Sequence, residues 1–231
     1  MDDKHSELVK EHFEMKYYDY DKLIRNLIPK YEEMHKLVVE NFGFPQNAKL
    51  KILDLGIGTG QTAQHILEKF PNAQIDGIDI SKKMIEQGEI RLKKFLKRVN
   101  FTESDIYDVK FTEKYDAVVA VLCIHHLNSK QKQEFFKRIY KTLKKGGMFI
   151  IADIIKFDTA TKTKEKEEEW KAFLIKNLGK KEGTYWFENY QEEDLPDSVK
   201  NQLKWLKIAG FTKSRCIWEY INYAVITAEK T

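Results

Sequence analysis

Apolar positions along the chain follow two different periods, and the two periods alternate. Nearly continuous apolar runs predict strands over 50–55, 74–79, 99–104, 115–122 and 147–153. Apolar residues at helical spacing predict helices over 60–70, 81–97 and 129–144. Regular alternation of strand and helix favours a parallel sheet, and strands this apolar are expected where helices cover both faces.

The two ends of the chain and one internal stretch depart from this rhythm. Mixed spacings of three and four from His5 to Phe42 predict helices that break near Pro29. Residues 156–198 are first charged and helix-prone and then rich in aromatic residues, which predicts a helical insertion exposed on the surface. A last helix should end at Gly210, and an antiparallel hairpin should turn around Asn222.

Length and hydrophobic content favour a single domain. With 231 residues, of which 42% are hydrophobic, the chain can bury one full core. We therefore predict one domain, 1–231. It divides into an N-terminal helical cap (1–45), a ligand-binding core (50–155), a helical lid (156–198), and a final helix with its hairpin (199–231).

Charge and cysteine content limit the expected binding partners and the expected cellular compartment. The net charge of +4 does not favour nucleic acid as a partner, although it does not exclude it. The basic run 91–98 has apolar residues at helical spacing, which favours a solvated helix face over an RNA-binding patch. Cys123 and Cys216 lack metal-ligand spacing and predict small buried thiols in a reducing compartment. We expect a cytoplasmic protein without a membrane segment, and a homodimer stays open.

The most informative motif is KILDLGIGTG, a buried strand that runs into a turn with three glycines. Gly56, Gly58 and Gly60 allow unusual backbone angles and a close approach to a ligand, as nucleotide-binding turns require. A dinucleotide turn would need a further glycine at position 61, where the chain has Gln61. Asp54, just before the turn, offers an anion for a positively charged group.

This pattern resembles motif I of the class I S-adenosylmethionine-dependent methyltransferases. The resemblance covers roughly residues 50–155 and extends to the final helix and hairpin. It implies an α/β fold with a doubly wound, mostly parallel seven-stranded sheet whose last strand is antiparallel. It also implies S-adenosyl-L-methionine as the cofactor, with its ammonium group at Asp54.

The later strands place further candidate residues at the same edge of the sheet. Asp79 ends the second strand, where a carboxylate can bind ribose hydroxyls; capping the next helix is the alternative, but Ser81 is better placed for it. The resemblance implies that Asp105 binds the adenine amino group, while a cap or turn role is the alternative. The full set of predicted cofactor residues is Asp54, Gly56, Gly58, Gly60, Asp79, Ile80, Met84, Asp105, Ile106, Val121, Leu122 and Tyr18.

Three titratable residues follow the fourth and fifth strands and are candidates for catalysis. His125 or His126 could take a proton from an oxygen, nitrogen or sulfur nucleophile, although a structural role is equally open for each. Adjacent histidines are expected to point in different directions. Without a companion carboxylate motif, no metal site is predicted. Asp153 could orient an acceptor or cap its loop.

Aromatic residues from the cap and the lid could close the site over an acceptor. Tyr31, Tyr185 and Trp186 are the predicted acceptor residues, and Tyr18 is expected beside the cofactor. For most of the aromatic residues in these segments, the core of a small lid is the alternative.

Together these features predict methyl transfer to an oxygen, nitrogen or sulfur atom of a small molecule. Ile28–His35 and the C-terminal segment also look similar to the carboxy-S-adenosylmethionine synthases of tRNA modification, which use an arginine in the insertion to hold the added carboxylate. This chain has no arginine between Arg138 and Arg215, which favours ordinary methyl transfer. Direct methylation of tRNA and cofactor binding without turnover are the remaining alternatives.

Overall fold

The computed structural model describes residues 20–231 and contains one seven-stranded sheet. Its strands are Lys51–Leu55 (β1), Gln74–Asp79 (β2), Val99–Glu103 (β3), Tyr115–Val121 (β4), Leu143–Ile154 (β5), Lys213–Tyr220 (β6) and Tyr223–Glu229 (β7). Their order is β3-β2-β1-β4-β5-β7-β6, with β1 to β5 parallel and β7 antiparallel to both of its neighbours. The predicted fold class is confirmed.

Helices cover both faces of this sheet. They are Tyr20–Leu27 (α1), Tyr31–Glu40 (α2), Gln61–Lys69 (α3), Lys82–Arg91 (α4), Ser129–Thr142 (α5), Ala160–Leu178 (α6), Lys180–Glu193 (α7) and Val199–Ala209 (α8). Short 3-10 turns span Lys93–Arg98 and Ile124–His126. Because successive strand residues face opposite sides, Ile52 packs into one hydrophobic core and Leu53 into the other.

The predicted helix 81–97 is too long, because α4 ends at Arg91. Leu92 is fully buried, and the chain turns there so that this side chain lies against Gly60. The basic run is therefore not a uniformly solvated helix face. Arg91 donates to Thr59 O at 2.8 Å, and Arg98 donates to Pro71 O at 2.9 Å.

The fifth strand begins earlier than predicted, at Leu143 rather than at residue 147. Leu143 pairs with Tyr115, and the register then shifts, so that Ala117 pairs with Met148. Gly146 takes a left-handed φ of 77° within this irregularity. Such a bulge absorbs extra residues in one strand, and apolar periodicity does not report it.

The predicted insertion forms two helices, α6 and α7, that pack on each other and close over one edge of the sheet. Trp170 of α6 donates its indole N–H to Leu27 O at 2.8 Å, which ties the insertion to α1. The same indole packs edge-on against Tyr190 and Tyr223. Since Tyr223 pairs with Ile154 at the end of β5, this is the carboxyl edge of the parallel strands.

The ends of the described chain agree with the sequence patterns. The N-terminal helices break around Pro29, α8 is capped by Gly210 with φ 115°, and the hairpin turns at Asn222.

The predicted cofactor residue Tyr18 lies outside the described residues. No helix within 20–231 is long and apolar enough to cross a membrane. Cys123 and Cys216 are free thiols that are half-buried, whereas buried thiols were predicted.

Candidate active site

The glycine turn between β1 and α3 is held in a fixed conformation. Gly56, Gly58 and Gly60 all have left-handed φ angles, of 68°, 52° and 78°. The N–H groups of Gly56 and Ile57 donate to Ile78 O of β2, at 2.8 and 3.0 Å. A Cβ at Gly56 would lie 2.7 Å from the Cβ of Cys123, so both conformation and space require glycine there.

Asp54 is buried directly before this turn and has an unsatisfied carboxylate oxygen. Asp54 is 1% exposed, and its Oδ2 atom has no hydrogen-bond partner within the described part of the chain. Burial, with a smaller contribution from the charge of Asp79, raises the pKa of Asp54 to about 8. A buried carboxylate without a partner is costly, so this position favours a cationic ligand.

Asp79 stands at the end of β2 and fastens the glycine turn. Gly58 N–H donates to Oδ2 at 2.8 Å, and Ser81 N–H donates to Oδ1 at 2.9 Å. Burial raises the pKa of Asp79 to about 6, although these backbone hydrogen bonds oppose the rise. Each carboxylate oxygen keeps acceptor capacity for a ribose hydroxyl. Ser81 caps α4 as predicted, accepting from Met84 N.

The residues predicted to surround the adenine lie near the same edge. Met84 and Ile106 are buried, whereas Ile80 and Asp105 are half-buried. Asp79 pairs with Glu103, so Asp105 lies two residues beyond the level of Asp79. Asp105 Oδ1 accepts from Tyr107 N at 2.8 Å, as in a turn. Its adenine role stays a prediction.

The end of β4 carries an unusual backbone conformation. Val121 pairs with Ala152 of β5, and Leu122 then takes a left-handed φ of 54°, while its N–H donates to Ala152 O at 2.9 Å. A left-handed conformation at a residue other than glycine costs on the order of 1–2 kcal/mol. Leu122 lines the cavity described below, where strained residues often mark a binding site.

Asp153 and His125 form a buried pair beyond β5. Asp153 Oδ1 accepts from His125 Nδ1 at 2.5 Å and from Ile154 N, and Oδ2 accepts from the N–H groups of Ile124 and His125. The carboxylate is therefore used within the protein. Of its two predicted roles, fixing the loop and the His125 ring is the one that these contacts support.

Both histidines converge on Asp194, a residue that the sequence reasoning missed. Asp194 Oδ1 lies 3.6 Å from His125 Nε2 and 3.5 Å from His126 Nδ1. The expectation that the two rings point apart is wrong, because the 3-10 turn brings their centroids within 4.1 Å. Burial lowers the pKa of His125, but the charges of Asp153 and Asp194 outweigh it and raise this pKa to about 9.

A cavity of about 120 Å³ lies over the histidines, under α1 and the lid. Its walls combine aromatic rings with two carboxylates, from Glu193 and Asp194. The aromatic rings belong to Tyr20, Trp170, Trp186, Tyr190 and Tyr223. Burial raises the pKa of the Tyr20 hydroxyl well above its ordinary value, and the nearby Tyr31 and Asp79 add to the rise.

Of the predicted acceptor residues, Trp186 lines this cavity and the other two do not. Tyr185 is 43% exposed, because neighbouring helical positions point about 100° apart. Tyr31 is buried instead against His35, with ring centroids 4.3 Å apart. Tyr20 takes the place expected for Tyr31. The spacing of Tyr20, Ile24 and Leu27 in the sequence places all three on one face of a helix, so it could have predicted that Tyr20 lines the cavity.

Comparison with known proteins gives one family and one recurring relative. Residues 52–147 match the model of a methyltransferase domain. Carboxy-S-adenosyl-L-methionine synthase of Campylobacter fetus is 26% identical over 217 residues, covering 91% of this chain and 90% of that protein. The synthase of Ruthia magnifica is 28% identical with the same coverage.

Solved structures with the same fold are larger proteins. Phosphoethanolamine N-methyltransferase 2 of Haemonchus contortus, in complex with S-adenosyl-L-methionine, has a TM-score of 0.69 at 17% identity. It matches 94% of this chain, which spans 57% of that structure. Human N-acetylserotonin methyltransferase, also with its cofactor, has a TM-score of 0.58 at 17% identity, covering 85% of this chain and 51% of that structure.

Proposed function

We propose that this chain is a class I S-adenosylmethionine-dependent methyltransferase and that it methylates a small molecule held in the cavity under the lid. The observation that carries the proposal is the position of the cavity. It opens at the carboxyl edge of the sheet, between Leu122 and the lid helices, next to the strand end that bears the glycine turn. Ligands of open α/β sheets bind at this edge.

The cofactor would satisfy the carboxylate oxygen of Asp54 that has no hydrogen-bond partner among the described residues. Its ammonium group would meet the unsatisfied Oδ2, its methionine part would pass over the glycine turn, and its ribose would reach Asp79. Ile80, Met84, Asp105 and Ile106 would surround the adenine. Bound there, S-adenosylmethionine supplies a methyl group already activated by the sulfonium charge.

The acceptor is limited in size by the walls of the cavity. A volume of about 120 Å³ suits a group the size of a small aromatic ring, since a cavity of roughly 150 Å³ takes up benzene. Aromatic walls exclude water and hold a flat or cationic acceptor. His125, oriented by Asp153, and His126 would contact the reacting atom of the acceptor.

Positioning can supply much of the rate acceleration. Holding a nucleophile in line with the sulfonium methyl corresponds to an effective molarity on the order of 10⁵–10⁸ M. The rigid loop around Asp153 and the aromatic walls are suited to that task. Methyl transfer therefore demands little from the protein beyond a precise and dry pocket.

Carboxy-S-adenosylmethionine synthesis is the second candidate, favoured by the relatives that match 91% of the chain. The resemblance implies that such synthases hold the added carboxylate with an arginine from the insertion. In this chain the insertion has no arginine, and it brings Glu193 and Asp194 to the cavity instead. Two carboxylates would repel an anionic cofactor group, so we favour methyl transfer.

The nucleotide that co-purifies with the protein separates the two candidates. Native mass spectrometry should find S-adenosylmethionine or its demethylated product, and Asp79→Ala should lose it. A bound carboxylated cofactor would overturn the proposal in favour of the synthase.

The acceptor class needs a second assay with methyl-labelled cofactor. Small-molecule metabolite pools and bulk tRNA are offered separately, and label should appear in the small-molecule pool. Label in tRNA alone would contradict a small-molecule acceptor.

A further inference from the structure

The geometry points to a divalent transition-metal site formed by His125, His126 and Asp194. One ligand atom from each residue lies within 4.8 Å of the other two. The sequence offered no companion carboxylate for the histidines, and the fold supplies one from the end of the lid. The site itself does not depend on the identity of the acceptor.

Two of the three distances between these atoms are close to those between the ligands of a bound metal. Asp194 Oδ1 lies 3.6 Å from His125 Nε2 and 3.5 Å from His126 Nδ1. Two ligands held 2.0–2.1 Å from a tetrahedral zinc ion are roughly 3.3 Å apart. Both separations exceed a hydrogen bond, and a shift of a few tenths of an ångström would reach metal geometry.

The histidine that has a buried carboxylate behind it is already oriented as a ligand. The Nδ1 atom of His125 is hydrogen-bonded to Asp153 at 2.5 Å, so the Nε2 atom of the same ring faces the cluster. Metal-binding histidines nearly always bond a carboxylate or carbonyl in this way. Three backbone N–H groups fix Asp153 in turn, so the ring orientation is rigid.

The position of Asp194 is also fixed by its neighbours in the chain. Leu195 N–H donates to His125 O at 2.9 Å, which pins the segment after Asp194 to the histidine turn. Among the described residues, Lys132 of α5 is a cation that acts on His125, and it is paired with Asp197 at 2.8 Å. Its charge is therefore offset, and the cluster keeps a net attraction for a cation.

The donor set selects the kind of metal. Two imidazoles and one carboxylate suit Zn²⁺ or another late divalent transition metal, whereas Mg²⁺ and Ca²⁺ prefer oxygen ligands alone. All three residues line the cavity, so a fourth coordination position faces the space for the acceptor. Three protein ligands with one open position are typical of catalytic rather than structural zinc.

A role for the ion rests on the proposed methyl transfer. A hydroxyl or thiol acceptor at the open position would lose its proton to solvent, because coordination lowers its pKa. The oxygen or sulfur then forms a bond to the methyl carbon, the bond from that carbon to the cofactor sulfur breaks, and the sulfur leaves as a neutral thioether.

Metal binding can be measured without cofactor or acceptor. Full-length protein is stripped with a chelator and dialysed against Zn²⁺, and Co²⁺ is titrated to follow its visible absorption. We expect one Zn²⁺ per chain with micromolar or tighter affinity, intense absorption from tetrahedral Co²⁺, and no competition by Mg²⁺.

Matched variants assign the site. Asp194→Asn and His126→Ala should each weaken Zn²⁺ binding by more than about 100-fold, and Asp153→Asn by about 10- to 100-fold, the usual effect of losing a partner behind a ligand. Glu193→Gln, a neighbouring cavity carboxylate outside the cluster, should bind Zn²⁺ as the wild type does. Circular dichroism verifies that each variant is folded.

Failure of the wild type to bind Zn²⁺ or Co²⁺ would overturn the site, as would unchanged binding in folded Asp194→Asn and His126→Ala. Either result would leave the methyltransferase proposal standing, because that proposal is tested by the bound nucleotide and by label transfer.

Discussion

Binding of S-adenosylmethionine should release a proton from Asp54. In the cofactor-free protein this carboxyl group is buried with an unsatisfied oxygen, and its pKa is raised to about 8. In the proposed site, the ammonium group of the cofactor would pair with the carboxylate form of Asp54. Binding and ionisation are therefore coupled, and the affinity must depend on pH.

The magnitude follows from the pKa. At pH 7, about nine in ten cofactor-free molecules carry the proton on Asp54, so binding should release about 0.9 proton. Affinity should rise nearly tenfold per pH unit at pH 6 and about sixfold per unit at pH 7, and then level off. The ammonium group of the cofactor, with a reference pKa of about 8, loses its proton over the range in which the rise levels off. Asp79, with a pKa of about 6, steepens the dependence below pH 6.

Calorimetry in buffers of different ionisation enthalpy measures the released proton directly. Asp54→Asn keeps the shape of the side chain but cannot titrate, so it should bind cofactor more weakly and release almost no proton. Asp108→Asn, at an exposed turn, serves as the matched control. Wild-type affinity that is independent of pH between 6 and 7.5, with no proton release, would refute the assignment of Asp54.

Three further perturbations test other parts of the structure. Burial lowers the pKa of His35 to about 3, so below pH 6.5 the unfolded chain binds more protons than the folded chain, and the free energy of unfolding decreases as the pH is lowered. His35→Gln should remove about 2 kcal/mol of the decrease between pH 7 and pH 5, measured by urea unfolding. Equal pH profiles for the variant and the wild type would contradict this. Arg91→Lys, which loses the guanidinium contact to Thr59 O, should raise the cofactor Kd by about tenfold in calorimetry, whereas Arg98→Lys should not change it. Trp186→Ala should raise the acceptor KM about tenfold at an unchanged cofactor Kd, and a raised Kd would place this indole against the cofactor instead.

Local sequence patterns predicted the parts of the site that follow directly from strand order. Asp79 could be placed beside the glycine turn because consecutive parallel strands bring their carboxyl ends to one edge. The structure has Asp79 accepting from Gly58 N–H there. The same reasoning placed His125 and Asp153 at that edge, but it did not predict the hydrogen bond of 2.5 Å between them.

Tertiary packing decided what the patterns left open. Asp194 reaches the histidines because the insertion returns to the sheet, where Lys156 and Ser198 form an isolated backbone β-bridge. A charged residue near the end of a lid has no periodicity that announces its partner. Helical rotation likewise separated Trp186, which lines the cavity, from the adjacent and exposed Tyr185.

Transfer of the cofactor's methyl group to a small molecule in this cavity can be measured directly. The most direct measurement supplies cofactor with an isotope-labelled methyl group to the protein and a small-molecule metabolite extract, and quantifies labelled products and S-adenosylhomocysteine by mass spectrometry. We expect one labelled small molecule, formed in the same amount as S-adenosylhomocysteine, and we expect Asp79→Ala to lose both products. Label confined to macromolecules, or cofactor consumed by carboxylation without methyl transfer, would contradict this expectation.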